Sequence, residues 1–388
     1  MPGTLPKRFS LGLLAALYVE FALTGTVMTL LGPLMPSLEQ NCGFSDARAG
    51  SLIAAQFIGN VLGALFATRN LRISLYAGPP LIAVGVAVVS FVPCSWLYVC
   101  TACYGVGLGL TISATNLLIA SRYTVGRAAS LMLANFVWGL GAVISPVLVG
   151  WASREHILSK CLLALAILSS LSWTAFLRSE IPSSDGVDHV SQRWYSPALL
   201  FFATLLFFYI GVETSIGSWT ALYAERLPHG TQTMGFFSVG SFWAVLLLGR
   251  LGSAVLLRYL PETAVYAGGL GFLLAGNMFL LAARSSLQVL AGASITAIGL
   301  APMFPLILSF ASNSLLACRK SGWVFSIAAM GGAALPWLTG RVSTWSGSLR
   351  MGFMVPAGAA ILILYLSLAG SSGNLAPALG LDSHADRG

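Results

Sequence analysis

Apolar residues fill most of the chain in long runs that are separated by short polar stretches. A helix needs about 20 mainly apolar residues to cross the hydrocarbon core of a bilayer. Twelve stretches meet this requirement, near residues 11–37, 47–68, 73–92, 96–120, 128–151, 158–177, 196–224, 232–256, 263–283, 286–310, 321–341 and 350–370. The pattern therefore predicts an all-α membrane protein with twelve transmembrane helices.

One long polar stretch interrupts the pattern halfway along the chain. Residues 178–193 contain Pro182, Asp185 and Gly186 and lack an apolar run. We interpret them as a cytoplasmic linker between two six-helix bundles. The predicted domains are an N-terminal bundle, the linker, a C-terminal bundle and a polar cytoplasmic tail, at residues 1–177, 178–193, 194–370 and 371–388.

The composition excludes a soluble enzyme. Only 8% of the 388 residues are charged, whereas soluble chains carry about 25%. The net charge of +8 does not indicate nucleic-acid binding, because the basic residues occur singly or in pairs between apolar runs. The sequence contains no nucleotide-binding loop, no metal-ligand spacing and no nucleophile–base pair. We therefore expect no enzymatic activity, no cofactor and no metal site.

The basic residues also predict an orientation, because Lys and Arg concentrate in cytoplasmic loops. With the N-terminus inside, 13 of the 20 basic residues, Arg250 among them, fall in cytoplasmic segments, and seven, including Arg226, fall outside. Both termini are then cytoplasmic, and the expected location is a bacterial inner membrane.

The two halves of the chain share a repeat. Matching residues lie on equivalent spans at offsets of 189 and 190, namely Gly63 and Arg69 with Gly252 and Arg258, and Gly141 and Pro146 with Gly331 and Pro336. Two parallel six-helix halves related by an axis along the membrane normal are the arrangement of major facilitator transporters. We interpret these eight residues as structural or conformational, since small residues permit close helix packing and proline bends a helix.

Two acidic residues, Glu20 and Glu213, lie well inside apolar runs. A charged side chain at the centre of a bilayer costs about 2.5–3.5 kcal/mol on insertion scales. Each carboxylate should therefore face a water-filled cavity or a partner, and both are candidates for ion coupling. A structural hydrogen bond to a neighbouring helix is the alternative for either residue.

Uncharged polar and aromatic residues add candidates for substrate binding. Amide and carboxylate groups beside aromatic rings suit a sugar, whose hydroxyl groups need hydrogen bonds and whose C–H faces stack on rings. The candidates are Gln56, Asn116, Asn135, Trp138, Tyr209, Glu213 and Trp219. The alternative for part of this set is an interhelical hydrogen bond without contact to substrate.

Three short motifs resemble those of the fucose permease-like sugar transporters of the major facilitator superfamily. They are YIGVETSIGSW from Tyr209 to Trp219, GRLG from Gly249 to Gly252, and APMFP from residue 301 to 305. The resemblance covers nearly the whole chain. It implies two six-helix bundles related by pseudo-two-fold symmetry and proton-coupled uptake of a fucose-, glucose- or galactose-like sugar.

The chain also departs from the pattern of that branch. Thr68 stands near the position where the superfamily signature has an Asp. The resemblance implies coupling acids in the first and fourth spans, but those positions hold Gly32 and Ile112. The fourth-span asparagine of the fucose symporter matches Asn116, and its fifth-span Gln and Asn fall on Asn135 and Trp138. If coupling occurs, we expect it to use Glu213 or Glu20.

The resulting hypothesis is a secondary active transporter for a small polar solute, most simply a monosaccharide. It would work by alternating access around a mid-membrane cavity, with proton symport through Glu213. The alternatives are export by antiport of a hydrophobic or amphiphilic compound, and sodium-coupled sugar uptake. The expected partners are the substrate, a proton or sodium ion, and the lipid bilayer, and we expect a monomer that does not bind nucleic acid.

Overall fold

A computed structural model describes residues 11–67, 69–89, 91–122, 127–178, 197–316 and 322–372 of the chain. Every regular element in these ranges is a helix. In chain order they are α1 Leu11–Met28, α2 Leu31–Cys42, α3 Asp46–Ala67, α4 Leu71–Val89, α5 Leu97–Arg122, α6 Arg127–Arg154, α7 Leu158–Leu177, α8 Pro197–Arg226, α9 Gln232–Leu256, α10 Glu262–Ala282, α11 Ser286–Leu316, α12 Gly322–Ser346, α13 Leu349–Gly352 and α14 Met354–Ser372, with a short 3₁₀ turn at Cys94–Trp96.

The twelve predicted spans are confirmed, with one change in the first. Eleven segments are long and apolar enough to cross a membrane, and α1 with α2 forms the twelfth as a bent pair. The predicted continuous helix over 11–37 is wrong, because the axis turns by 42° between Met28 and Leu31. Pro33 lacks a backbone N–H and cannot bond to the carbonyl of Thr29, which favours a new helix start at this point.

Large apolar side chains point outward from the helices. Val147 on α6 is 65% exposed and Leu248 on α9 is 64% exposed. Many further exposed Leu, Ile, Val, Phe and Met side chains accompany them. Exposed apolar side chains in this number are unfavourable in water and are what a bilayer covers. The exposed surface therefore agrees with the membrane assignment made from composition.

The chain packs as two compact units, whose bounds differ from the predicted domains. Unit 1 contains residues 1–31 and 55–185, and unit 2 contains residues 32–54 and 186–388. Residues 32–54, predicted in the N-terminal bundle, thus group with unit 2. Most of the predicted linker and of the predicted tail lies outside the described residues.

The residues 32–54 join unit 2 through close backbone contacts. A Cβ atom added at Gly32 would lie 2.5 Å from the carbonyl oxygen of Gly217 in α8. One added at Gly340 of α12 would lie 2.3 Å from the carbonyl oxygen of Asp46. Both distances are shorter than any non-bonded contact, so these helices approach each other only because glycine stands at the crossings.

The repeat is visible in the packing of each unit separately. A Cβ atom added at Gly141 would lie 1.9 Å from the carbonyl oxygen of Ala22, where the fifth span packs on the first. One added at Gly331 would lie 1.9 Å from the carbonyl oxygen of Phe207, where the eleventh span packs on the seventh. Equivalent helices therefore meet at equivalent glycines in both units.

The other repeated residues differ between the halves. Gly63 packs closely on α5, with Val106 O 2.2 Å from an added Cβ, whereas a Cβ at Gly252 would meet no atom within 4 Å. Pro146 and Pro336 are buried inside α6 and α12. Two further members of the repeat, Arg69 and Arg258, are exposed, and Thr68 lies outside the described residues.

Candidate functional site

A charged cluster lies between α8 and α9 in unit 2. Tyr209 and Glu213 are one helical turn apart, so their side chains share a face, and the Tyr209 hydroxyl donates to Glu213 Oε2. Arg250 Nη2 lies 3.3 Å from Glu213 Oε2 and 3.4 Å from Tyr209 Oη. The sequence predicted a water-filled cavity or a partner for Glu213, and the structure shows two partners, Tyr209 and Arg250. Arg250, which was counted among the basic residues of the cytoplasmic segments, lies inside α9.

This Tyr209–Glu213–Arg250 cluster keeps hydrogen-bonding capacity for a ligand. The side chains of Glu213 and Arg250 are 14% and 25% exposed. Arg250 Nε is buried and has no hydrogen-bond partner among the described residues. Phe304 of α11 lies beside Tyr209, with 5.6 Å between the ring centroids. A guanidinium, a carboxylate and aromatic rings thus stand together, a combination that can bind hydroxyl groups and C–H faces.

Trp219 belongs to the core of unit 2. The side chain has no exposed surface, and its Nε1–H donates to the carbonyl oxygen of Pro336 at 3.1 Å. A fully buried indole with its only donor satisfied packs two helices together. We therefore do not carry its predicted substrate contact forward.

Gln56 is likewise occupied by neighbouring helices, within unit 1. Its side chain is 1% exposed. Its Nε2 donates to the carbonyl oxygen of Met28 at 2.8 Å, and its Oε1 accepts from the Tyr104 hydroxyl at 3.0 Å. This is the interhelical hydrogen bond that we gave as the alternative, and it fixes α3 against α1 and α5.

The remaining unit 1 candidates keep exposed surface. Asn135 is exposed and donates from Nδ2 to the carbonyl oxygen of Leu131 at 2.8 Å, which leaves its Oδ1 available as an acceptor. Trp138 is half-buried one turn further along α6. Asn116 on α5 is half-buried. None of these three side chains is fully buried, and their predicted contact with a solute remains a proposal.

Glu20 lies inside unit 1 and has no contact with solvent. Its side chain is 0% exposed. Both carboxylate oxygens face serine hydroxyls of α7, with Ser169 Oγ 2.9 Å from Oε1 and Ser172 Oγ in contact with Oε2. The two intramembrane carboxylates found in the sequence are therefore held in very different surroundings.

A further ionic cluster, which the sequence did not predict, surrounds Arg226 at the end of α8. Its guanidinium lies 2.6 Å from Asp46 Oδ1 and 2.8 Å from Glu39 Oε1. The Ser343 hydroxyl also donates to Asp46. Sequence alone placed these residues near span ends but gave no pairing. Among the described residues, no three His, Cys, Asp or Glu side chains come close enough to hold a metal ion.

Comparison with known families gives one match that covers most of the chain. Residues 17–321 match the Major Facilitator Superfamily. This range includes every residue predicted above to bind substrate or to couple an ion.

Several characterised proteins resemble the chain at low identity. The Glucose/mannose transporter GlcP of Bacillus subtilis is 21% identical over 355 residues, covering 83% of this chain and 86% of that protein. The Sodium-dependent glucose transporter 1 of Xenopus laevis is 24% identical over 355 residues, covering 80% and 71%. The Bypass of stop codon protein 6 of Saccharomyces cerevisiae is 22% identical over 275 residues, covering 61% of this chain and 55% of that protein.

Solved structures share the fold. A D-xylose–proton symporter superimposes with a TM-score of 0.70 at 13% identity, covering 92% of this chain and 96% of that chain. The Escherichia coli fucose:proton symporter superimposes with a TM-score of 0.64 at 18% identity, covering 92% and 98%. At these identities the likeness establishes the helical architecture, and it agrees with the resemblance read from the motifs.

Proposed function

Since the chain belongs to the Major Facilitator Superfamily and is a transporter rather than an enzyme, we propose that it is a secondary active transporter that moves a monosaccharide by alternating access. The observation that carries this proposal is the Tyr209–Glu213–Arg250 cluster, a partly exposed ion pair on two membrane-spanning helices. Charges inside a membrane are costly and mark substrate or ion pathways. A polar, neutral solute with several hydroxyl groups matches these donors and acceptors.

Each unit supplies its own candidate substrate contacts. In unit 2, Glu213 accepts and Arg250 donates, while the rings of Tyr209 and Phe304 offer apolar faces. In unit 1, the candidates are the amides and the indole on α5 and α6, from Asn116, Asn135 and Trp138. Gln56 and Trp219 act as positioning residues, because each is already hydrogen-bonded to a neighbouring helix.

The coupling ion is proposed to be a proton. The structural relatives include proton symporters for xylose and fucose, and the described part of the chain contains two intramembrane carboxyl groups that could carry one. Sodium is the alternative, and the frog relative named as sodium-dependent supports it. Both ions would drive uptake of the same solute.

Purified protein in proteoliposomes tests the proposal by counterflow, the exchange of labelled for unlabelled sugar. We expect exchange with one or more aldohexoses or deoxyhexoses, and loss of exchange in Glu213→Gln and Arg250→Gln. Glu155→Gln is the matched control, because Glu155 is an exposed acid that makes no side-chain bond to another described residue. Exchange that survives in both cluster variants would remove the cluster from the substrate path.

Export of an amphiphilic compound is the second candidate. The aromatic contact between Tyr209 and Phe304 favours it, because the same rings can hold an apolar molecule. A thermal-shift panel separates the two functions. Stabilisation by sugars supports uptake of a monosaccharide, whereas stabilisation by lipophilic cations alone supports export.

The distribution of basic residues supports a proposal for the membrane and the orientation. We propose an inner-membrane protein with both termini in the cytoplasm that acts as a monomer. The test uses Pro228→Cys, after α8, and Tyr259→Cys, after α9, two exposed positions that the proposed topology places on opposite sides. A membrane-impermeant maleimide applied to intact cells should label Pro228→Cys above the background of the unaltered protein and leave Tyr259→Cys at that background. The reverse result would invert the orientation.

A further inference from the structure

The surroundings of Glu20 differ from those of an ordinary buried carboxylate. Helix α1, which carries Glu20, packs against α5, α6 and α7. The carboxyl group has no exposed surface, and its hydrogen-bond partners among the described residues are the hydroxyls of Ser169 and Ser172. An ionised carboxylate in such a place needs a compensating charge or several strong donors.

No cation supplies that charge within the described part of unit 1. None of the ion pairs found there or elsewhere in the described ranges involves Glu20. Further titratable or cationic residues with described side chains occur on α1, on the three helices packed against it and on α4, but none is hydrogen-bonded to Glu20. They are Tyr18 on α1, Arg72 and Tyr76 on α4, Tyr98, Cys100, Cys103 and Tyr104 on α5, Arg154 on α6, and Lys160 and Cys161 on α7.

Counting hydrogens favours a protonated carboxyl group over an ionised one. Ser169 Oγ lies 2.9 Å from Glu20 Oε1 and 3.1 Å from Pro79 O. Ser172 Oγ contacts Glu20 Oε2 and lies 2.9 Å from Ser169 O. These four oxygen–oxygen contacts each need a hydrogen, but two serine hydroxyls supply only two. A proton on Glu20 adds a third hydrogen, because one serine can then accept from the carboxyl group and donate onward to a carbonyl, and the contacts left without a hydrogen fall from two to one.

The two serines are held in place by the proline pair of α4. Pro80 has no N–H, so the carbonyl of Tyr76 loses its helical partner. The Trp173 Nε1–H donates to this carbonyl at 2.8 Å, and Ser169 reaches Pro79 O on the same face. Helix α7 is thereby fixed against α4 on the face that carries Ser169 and Ser172.

We propose that Glu20, Ser169, Ser172 and the Pro79 carbonyl form an internal proton-binding site, and that the proton coupled to transport is carried here rather than on Glu213. The coupling of this proton to transport rests on the proposed function. Glu213 already has Arg250 as its countercharge, whereas none of the ion pairs among the described residues involves Glu20.

Helix α1 connects this site to the solute candidates of unit 1. A Cβ at Gly25 would lie 2.0 Å from the carbonyl oxygen of Trp138. The next residue, Thr26, donates from its hydroxyl to the carbonyl oxygen of Gly141 at 3.1 Å. Because α1 and α6 touch backbone to backbone here, a shift of α1 on loss of the proton moves the helix that carries Asn135 and Trp138.

The test compares Glu20→Gln with Glu155→Gln in proteoliposomes. The glutamine amide imitates the protonated carboxyl group, so Glu20→Gln should fold and keep sugar counterflow. It should lose accumulation driven by a pH gradient and the alkalinisation that accompanies sugar entry. Retained gradient-driven accumulation would overturn the proposal, and so would sodium-dependent accumulation by the unaltered protein that Glu20→Gln abolishes.

A spectroscopic measurement keeps the site testable if no sugar is transported. Infrared difference spectroscopy of the unaltered protein at neutral pH should show the carbonyl stretch of a protonated carboxyl group. The band should vanish in Glu20→Gln, shift in Ser172→Ala, and persist in Glu155→Gln. Absence of the band from the unaltered protein would overturn the proton site. Failure of counterflow with the band present would instead overturn the proposed function.

Discussion

Glu20 in unit 1 and Glu213 in unit 2 are both carboxyl groups inside membrane-spanning helices, but their partners differ. Glu213 meets a guanidinium and a tyrosine hydroxyl and keeps 14% of its side chain exposed. Glu20 meets two serine hydroxyls and has no exposed surface. Glu213 therefore has a fixed countercharge, whereas Glu20 is, in our proposal, neutralised by a proton that can leave.

The difference shows why a count of buried acids does not identify the coupling residue. An ion pair with good geometry holds its charge through a transport cycle, and removing one partner is costly. A carboxyl group whose only partners are hydroxyls can bind and release a proton without losing its neighbours. The following substitutions test this contrast between the two carboxyl groups, in order of decreasing effect on stability.

Arg250→Leu should have the largest effect. It leaves Glu213 without its countercharge in a largely apolar setting, which should cost about 3–5 kcal/mol of stability. Thermal unfolding in detergent measures the loss. A melting temperature close to that of the unaltered protein would show that water already compensates Glu213, and the contrast with Glu20 would disappear.

The double variant Glu213→Gln/Arg250→Gln should be more stable than Arg250→Leu. Removing both charges avoids an unpaired one, so the deficit should shrink to about 1–2 kcal/mol. The same thermal measurement applies, with Glu213→Gln and Arg250→Gln as the single variants of the cycle. Additive effects of the two single changes would contradict the pairing.

Tyr209→Phe and Ser172→Ala remove one hydroxyl from each carboxyl group. A hydrogen bond to a charged group contributes about 1.5–3 kcal/mol and one between neutral groups about 0.5–1.5 kcal/mol. Tyr209→Phe should therefore lower the free energy of unfolding more than Ser172→Ala, as read from the two melting temperatures. The reverse order would indicate that Glu20 is the ionised member of the two.

Glu20→Gln should have the smallest effect on stability, below about 1 kcal/mol, because an amide replaces a neutral carboxyl group of the same shape. Glu20→Ala serves as the reference, since it leaves a cavity and two unpaired hydroxyls. Equal destabilisation by both changes, read from the melting temperature, would contradict a neutral Glu20.

Most of the helical architecture was predictable from the sequence. Lipid requires about 20 apolar residues for each crossing, and the predicted span at 232–256 coincides with α9. The bend between α1 and α2 was not predicted, because the apolar run continues through it. The available signal for the bend was Pro33, which lies near the end of that run.

The candidate site was less predictable, because pairing depends on how helices cross. Arg250 lies 37 residues from Glu213 along the chain, and nothing in the local pattern joins them. The same holds for Gln56, whose partners are Met28 and Tyr104. Polarity inside an apolar run identified important residues, but it did not tell a ligand contact from an interhelical bond.

The Arg226 cluster joins residues 32–54 to α8 through two carboxylates in unequal settings. Asp46 is 7% exposed and Glu39 is 42% exposed, yet both share the same guanidinium. Salt screens charges in contact with solvent far more than buried ones. Rising ionic strength thus frees Glu39 first, while Asp46 keeps its ion pair, so this attachment loosens in two stages instead of failing at once.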